Sequence, residues 1–356
     1  MKSYLFTTSL FCILIISCVN DSDNVIVVDP DSRSRISFDN LYRAKQVIEL
    51  ENSGLAMVGE VSKILFHKDR IFVLSGLKHS RYYYTVFDTT GRFLYRMNKR
   101  GRGPGEYIKI GDIFLNGDSL IVGCSDKFLY YDKDGNFITE KLIKAGTFIS
   151  MEYIKTGDYL VNYGVCAPDS EDGNHYSVKL YSSNGSVLMK SLPIPQTISE
   201  NPFFAMSSSV FLTEGDFTYF LPMTHNSIYS YSNVKQRFDE LYVVNVSGRH
   251  TFDIQNVNAE LIPGSRWLYE KDVLWVYDIG DNHLLFRINS TNRNESVISF
   301  FNRNTGINYI IDKDNFYDGI NNFPIRPKDN NLGTLVSLVE RENANAIILV
   351  YDLIYK

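Results

Sequence analysis

One short unit recurs along this 356-residue chain and restricts its fold more than any other feature. An alternating, aromatic-rich stretch enters a tight turn that ends on glycine, and a second apolar stretch follows. The copies are Phe87-Asp88-Thr89-Thr90-Gly91-Arg92-Phe93-Leu94, Tyr131-Asp132-Lys133-Asp134-Gly135-Asn136-Phe137-Ile138 and Tyr181-Ser182-Ser183-Asn184-Gly185-Ser186-Val187-Leu188. A looser copy is Phe300-Phe301-Asn302-Arg303-Asn304-Thr305-Gly306-Ile307. Asp or Ser at the first turn position caps the turn, and Gly at the fourth accepts positive φ. The pattern predicts hairpins with a type I turn followed by a glycine bulge.

Each hairpin is preceded by a strand that opens on Asp: Asp69, Asp118, Asp158, Asp216 and Asp281, at spacings of 49, 40, 58 and 65 residues. Repeats of about 40 to 50 residues are the size of one propeller blade. The longer spacings require loop insertions, expected over 165–176 and 236–280. The 24 Tyr and 23 Phe, against 2 Trp, favour strand. No amphipathic pattern longer than three turns appears beyond the first residues. The fold expected is all-β: a six-bladed β-propeller of four-stranded antiparallel blades. Residues 45 to 356 supply 52 per blade. The C-terminal strand Ala346–Tyr351 and early segments such as Val47–Leu50 are expected to share one blade, closing the ring and removing two sheet edges.

The first residues carry a single Lys2 and then an apolar run ending Ile15-Ile16-Ser17-Cys18. The run is too short and too early for a spanning helix and has the form of a secretory signal. Its end resembles a bacterial lipobox, in which a small residue precedes a Cys that is lipidated and becomes the mature N-terminus. Residues 1–17 are therefore read as signal peptide, 18–40 as lipidated Cys18 and a flexible tether, and 41–356 as the propeller. The acidic Val19-Asn20-Asp21-Ser22-Asp23-Asn24 resembles a surface-export tag of Bacteroides-group lipoproteins, which favours the surface side; the alternative is a plain polar tether. The location implied is the outer membrane, on its periplasmic or its surface side. Cys124 and Cys166 remain in the domain, as one disulfide or as two buried thiols.

The most distinctive segment is Asn98-Lys99-Arg100-Gly101-Arg102-Gly103-Pro104-Gly105-Glu106-Tyr107. A phosphate cradle would need a following helix, and Pro104 with the strand-like Tyr107-Ile108-Lys109-Ile110 opposes one. The segment is read as a connection between blades, with Arg100, Arg102, Glu106 and Tyr107 as candidate ligand contacts. Gly101–Tyr107, after a Gly-Arg-Phe-Leu turn, resembles the signature of six-bladed propeller lipoproteins of Bacteroides-type bacteria, distant relatives of NHL-repeat propellers. Asn343-Ala344-Asn345-Ala346-Ile347-Ile348-Leu349-Val350-Tyr351 resembles that family's closing strand, with Ala344 and Ala346 departing from the usual Asn-Pro form. The resemblance implies architecture and envelope location, and carries over no catalytic residue.

Motifs for chemistry are absent from the sequence. The six His residues stand apart, with no His-x-His or His-Glu-x-x-His, so no local metal site is expected. Asp132-Lys133-Asp134-Gly135-Asn136 imitates a calcium loop but has Phe137 where Gly is needed and Ile143 at the twelfth position. There is no Gly-x-Ser-x-Gly elbow. A net charge of −5, with basic residues scattered, opposes nucleic-acid binding. No cofactor is expected. The sequence points to a membrane-tethered binding or scaffold module for a glycan, a peptide or a partner envelope protein. The rival is a polysaccharide hydrolase or lyase with residues from several blades meeting in the central channel.

Overall fold

A computed structural model describes residues 24–77, 80–154, 156–164, 174–194, 211–214, 216–222, 226–248, 272–290, 295–312, 335–341 and 344–355. The chain is a six-bladed β-propeller. Blade one comprises Glu60–His67, Arg70–Leu77, Ser80–Asp88 and Phe93–Met97. Blade two comprises Asp112–Asn116, Ser119–Gly123, Lys127–Tyr131 and Phe137–Leu142. Blade three comprises Ser150–Tyr153, Tyr159–Asn162, His175–Tyr181 and Val187–Ile194. Blade four comprises Phe211–Glu214, Phe217–Phe220, Ser227–Ser232 and Arg237–Val246. Blade five comprises Asp272–Ile279, His283–Ser290, Glu295–Asn302 and Asn308–Ile311. Blade six has three strands among the described residues: Leu335–Arg341, Ala344–Leu353 and the N-terminal Tyr42–Glu49.

The closure expected from the sequence is present. Tyr42–Glu49 runs antiparallel to the C-terminal strand, pairing Ile48 with Ile348 and Val47 with Leu349. The turns follow their chemistry as well. Gly91, Gly135 and Gly185 take φ of 91°, 83° and 89°. The Asp88 carboxylate accepts the amides of Thr90 and Arg92 at 2.9 and 3.1 Å. Burial opposes its ionisation, but these bonds and the Thr90 hydroxyl outweigh burial and hold Asp88 below the usual carboxylate range.

Two expectations are corrected. The segment read as tether is built onto the ring: Val25–Val28 lies parallel to the outermost strand of blade four, and Arg35–Ile36 parallel to that of blade five. Ile26 and Val28 are buried there, so this polar-looking stretch supplies two anchors. The expected insertion over 236–280 is also shorter, because its first part is the outer strand Arg237–Val246 and its last part the inner strand Asp272–Ile279. Residues 249–271 lie outside the described residues, as do 165–173.

The core is not one mass but a set of layers between blades. Six apolar clusters occupy the six seams of the ring. Aromatics fill them: Phe114 and Phe128 from blade two meet Tyr159 of blade three at ring-centre distances of 5.7 and 4.8 Å. Each fully buried Phe contributes about 2 kcal/mol of transfer free energy. Tyr84 and Tyr231, from the aromatic runs of the sequence, are buried as expected of seam residues.

Candidate functional site

Up-and-down strand order fixes which loops share a face. Connections from an outer strand to the next inner strand open on one side, with the turns between second and third strands; call it the connection face. The turns between first and second and between third and fourth strands open on the opposite, hairpin face. The glycine-rich segment is the connection from blade one to blade two. Residues 50–59 make the equivalent connection from blade six to blade one.

The glycine-rich connection is closed on itself. Tyr107 and Lys99 pair through backbone at 3.0 Å, and the Tyr107 hydroxyl donates to the Met97 carbonyl at 3.1 Å. Glu106 turns inward, and its carboxylate accepts the Gly103 amide at 2.8 Å. A Cβ on Gly101 would lie 1.9 Å from that carboxylate, so a side chain there would have to displace Glu106. Gly105, at φ +68°, sits against the Phe137 ring, and its carbonyl accepts the Tyr131 hydroxyl at 2.6 Å. Lys127 and Glu140 of blade two pair at 3.1 Å beside it. The hydrogen bond from Lys127 leads in holding Glu140 below its ordinary value. Cys124, in the same seam, is a free thiol pushed up to about 12 by burial. Thus Glu106 and Tyr107 are taken up by the loop's own structure, whereas Arg100 and Arg102 are exposed. Cys18 and Cys166 lie outside the described residues.

At the axis, Asp112 binds three blades together. Its carboxylate accepts Lys63 Nζ from blade one and the Met151 amide from blade three, each at 2.8 Å, and its own strand's Ile113 amide at 2.8 Å. These bonds use both oxygens of a buried acid, which acts as a clamp of inner strands.

The connection from blade six to blade one is different. Asn345, 1 % exposed, is its anchor. The Asn345 amide nitrogen donates to the carbonyls of Glu51 and Ala56 at 2.9 Å each, and its oxygen accepts the Val58 amide at 3.2 Å. Arg96 stacks on Tyr83 at 4.3 Å and donates to the Met57 carbonyl from below. These bonds fix the backbone and leave an open cleft of about 400 Å³ between it and blade six, lined by Met57, Val58, Gly59, Glu60, Val61, Leu338, Arg341, Ala344 and Ala346. Arg341 is held in place by Nε donation to the Asn345 carbonyl at 2.7 Å, and its Nη1 reaches Glu49 at 3.4 Å. Gly59 forms the floor, because a Cβ there would lie 2.4 Å from the Gly76 carbonyl oxygen. The cleft therefore offers apolar walls, an exposed carboxylate and a partly exposed guanidinium. Of its residues only Ala344 and Ala346 stood out in the sequence, as part of the closing strand and not as a site, since the cleft joins segments some 280 positions apart. Among the described residues, no three His, Cys, Asp or Glu side chains lie close enough to hold a metal ion, and no helix is long and apolar enough to cross a membrane.

The described strands thus form a six-bladed ring, closed by pairing of its two ends, with a cleft on its connection face. Residues 23–351 match the family model described as domain of unknown function DUF4934, and the chain belongs to that family. Its fold is similar to that of a Bacteroides fragilis NCTC 9343 protein whose name suggests export, with 15% identity, a TM-score of 0.70, and 92% of this chain and 99% of that one covered. It is also similar to a DUF4221-family member from Bacteroides vulgatus ATCC 8482, with 10% identity, a TM-score of 0.56, and coverage of 89% and 100%. No curated protein matches the sequence.

Proposed function

We propose that this protein is a lipid-anchored propeller of the cell envelope that binds a peptide segment of a partner envelope protein in the cleft where its ring closes. The lipobox-like Ile15-Ile16-Ser17-Cys18 and the name of the Bacteroides fragilis neighbour support the location. The observation that carries the binding role is the cleft itself. Its volume of about 400 Å³ lies within the range of ligand pockets, about 300–1,000 Å³. Its lining mixes Glu60, Arg341 and backbone with aliphatic walls, and among the described residues it contains no aromatic ring. Sugar rings favour an aromatic platform, whereas a peptide uses opposed charges and apolar contacts together.

Panning the mature chain against a peptide library and a glycan array tests this. Peptides are expected to bind, and Arg341→Ala is expected to weaken them about tenfold, as for loss of one charge-assisted hydrogen bond. The variant's melting temperature separates lost binding from lost folding. Binding confined to glycans and indifferent to Arg341 and Glu60, or turnover of a polysaccharide, would overturn the assignment.

A further inference from the structure

Blade four carries an unusual concentration of exposed apolar groups. On its added N-terminal strand, Ile26 and Val28 face the sheet while Val25 and Val27 face outward. At its hairpin-face tip, Val234 is 87 % exposed, the highest value of any large apolar residue described, and Phe217 is 46 % exposed. The two turns of that tip are tied together, Asn233 donating to the Asp216 carbonyl at 3.1 Å. Lys235 and Arg237 flank Val234, and Asp239 accepts from both at 3.3 and 2.8 Å. With Asp216 and the strand-end residue Glu214 in the adjoining turn, the tip carries two cations against three carboxylates and has no net positive charge, so its attraction for a surface is apolar.

The chain enters the ring at this same blade. Val25 pairs with Val243, and the two strands run parallel, from the hairpin face towards the connection face. Asn24 and Val25 therefore enter the sheet from the hairpin side. Cys18 is seven positions upstream, a span of at most about 24 Å. The base of the tip, Arg237, lies six residues below Val243 along its strand, about 20 Å, so a fully extended span just brings Cys18 to the level of the tip.

We propose that blade four is the membrane-facing edge of the ring: Val234 and Phe217 dip into the bilayer interface beside the lipid on Cys18. Lys235 and Arg237 sit at headgroup level, their stems along apolar surface and their charges in water. The closure-seam cleft, between blades six and one and on the opposite face, is then held away from the bilayer and open to a partner. This inference rests on the lipid-anchor reading.

The test places the full mature chain, anchored through Cys18, in vesicles of phosphatidylethanolamine and phosphatidylglycerol that contain a headgroup nitroxide quencher. A fluorescent amino acid replaces Lys235 in one sample and Arg102, on the connection face, in another; each replacement removes one cation. Quenching is expected to be several-fold greater at 235 than at 102, at low and high salt alike. The pair Phe217→Asp and Val234→Asp is expected to erase the difference while the chain stays tethered. Equal quenching, or stronger quenching at 102, overturns the orientation. Failure of wild type to take up fatty-acid label defeats the anchor alone. A maleimide lipid coupled to Cys18 then restores the tether, and the quenching ratio decides the orientation independently.

Discussion

Two equivalent connections on one face of the propeller are finished in opposite ways. Between blades one and two, the chain spends four glycines and a proline within 98–111 to fold a loop flat against its neighbour, with Glu106 and Tyr107 turned into it. Between blades six and one, residues 50–59 are pinned at their backbone chiefly by one side chain, Asn345, with Arg96 on the Met57 carbonyl, and the space beside them stays open. The conspicuous sequence thus makes the sealed surface. The inconspicuous one makes the cleft, because a cleft needs a rigid wall and a missing neighbour, neither of which has a compositional mark.

Asn345→Ala is the strongest way to break this contrast. It removes two donations, to the Glu51 and Ala56 carbonyls, and two acceptances, from the Val58 and Ala346 amides, at roughly 0.5–1 kcal/mol net each. A loss of about 3 kcal/mol in chemical denaturation is expected, with hydrogen exchange rising first over 50–59. Exchange rising equally at 98–111 would show that the two connections are not independent. Gly105→Ala strikes the sealed loop. Positive φ and a Phe137 ring 2.8 Å from the new Cβ predict about 2 kcal/mol of destabilisation, read in the same titration.

Acid sharpens the comparison. The folded value of Glu140 lies below its ordinary 4.5, so its stabilising contribution is complete above that pH and is lost as pH falls through the folded value. Cleavage within 98–111 by an acid-stable protease should therefore accelerate as pH falls through the folded value of Glu140, below 4.5, and Glu140→Gln should flatten the dependence. Gly54→Ala is the smallest change. Nothing lies within 4 Å of its Cβ position and its φ is not in the left-handed region. Stability should hold or rise by about 0.5 kcal/mol, where the same substitution at Gly105 costs several times that.

Hairpins were legible wherever glycine marked them. Blade four's outer hairpin escaped notice because its turn, Ser232 to Gln236, has no glycine. Gln236 itself takes φ 51°, while the Ser232 carbonyl still accepts the Gln236 amide at 2.8 Å. Residues 25–36 misled in the other direction: their Asp and Ser content reads as spacer, yet Ile26 and Val28 find a sheet edge to cover. Of the four candidate contacts, Arg100 and Arg102 are exposed, Glu106 is half-buried with its carboxylate on the Gly103 amide, and Tyr107 is buried, because a glycine run tells where a loop folds tightly and not which side chains it swallows.

Local chemistry was enough to write the hairpins, the blade repeat and the pairing of the chain's two ends, since turn geometry and strand alternation act over a few residues. The cleft at Arg341 and Gly59, the three-blade clamp at Asp112 and the recruitment of the N-terminal strand to blade four were settled only when the ring closed. Each joins groups from separate blades, and their meeting depends on the angle and packing of whole sheets, which no short stretch of sequence encodes.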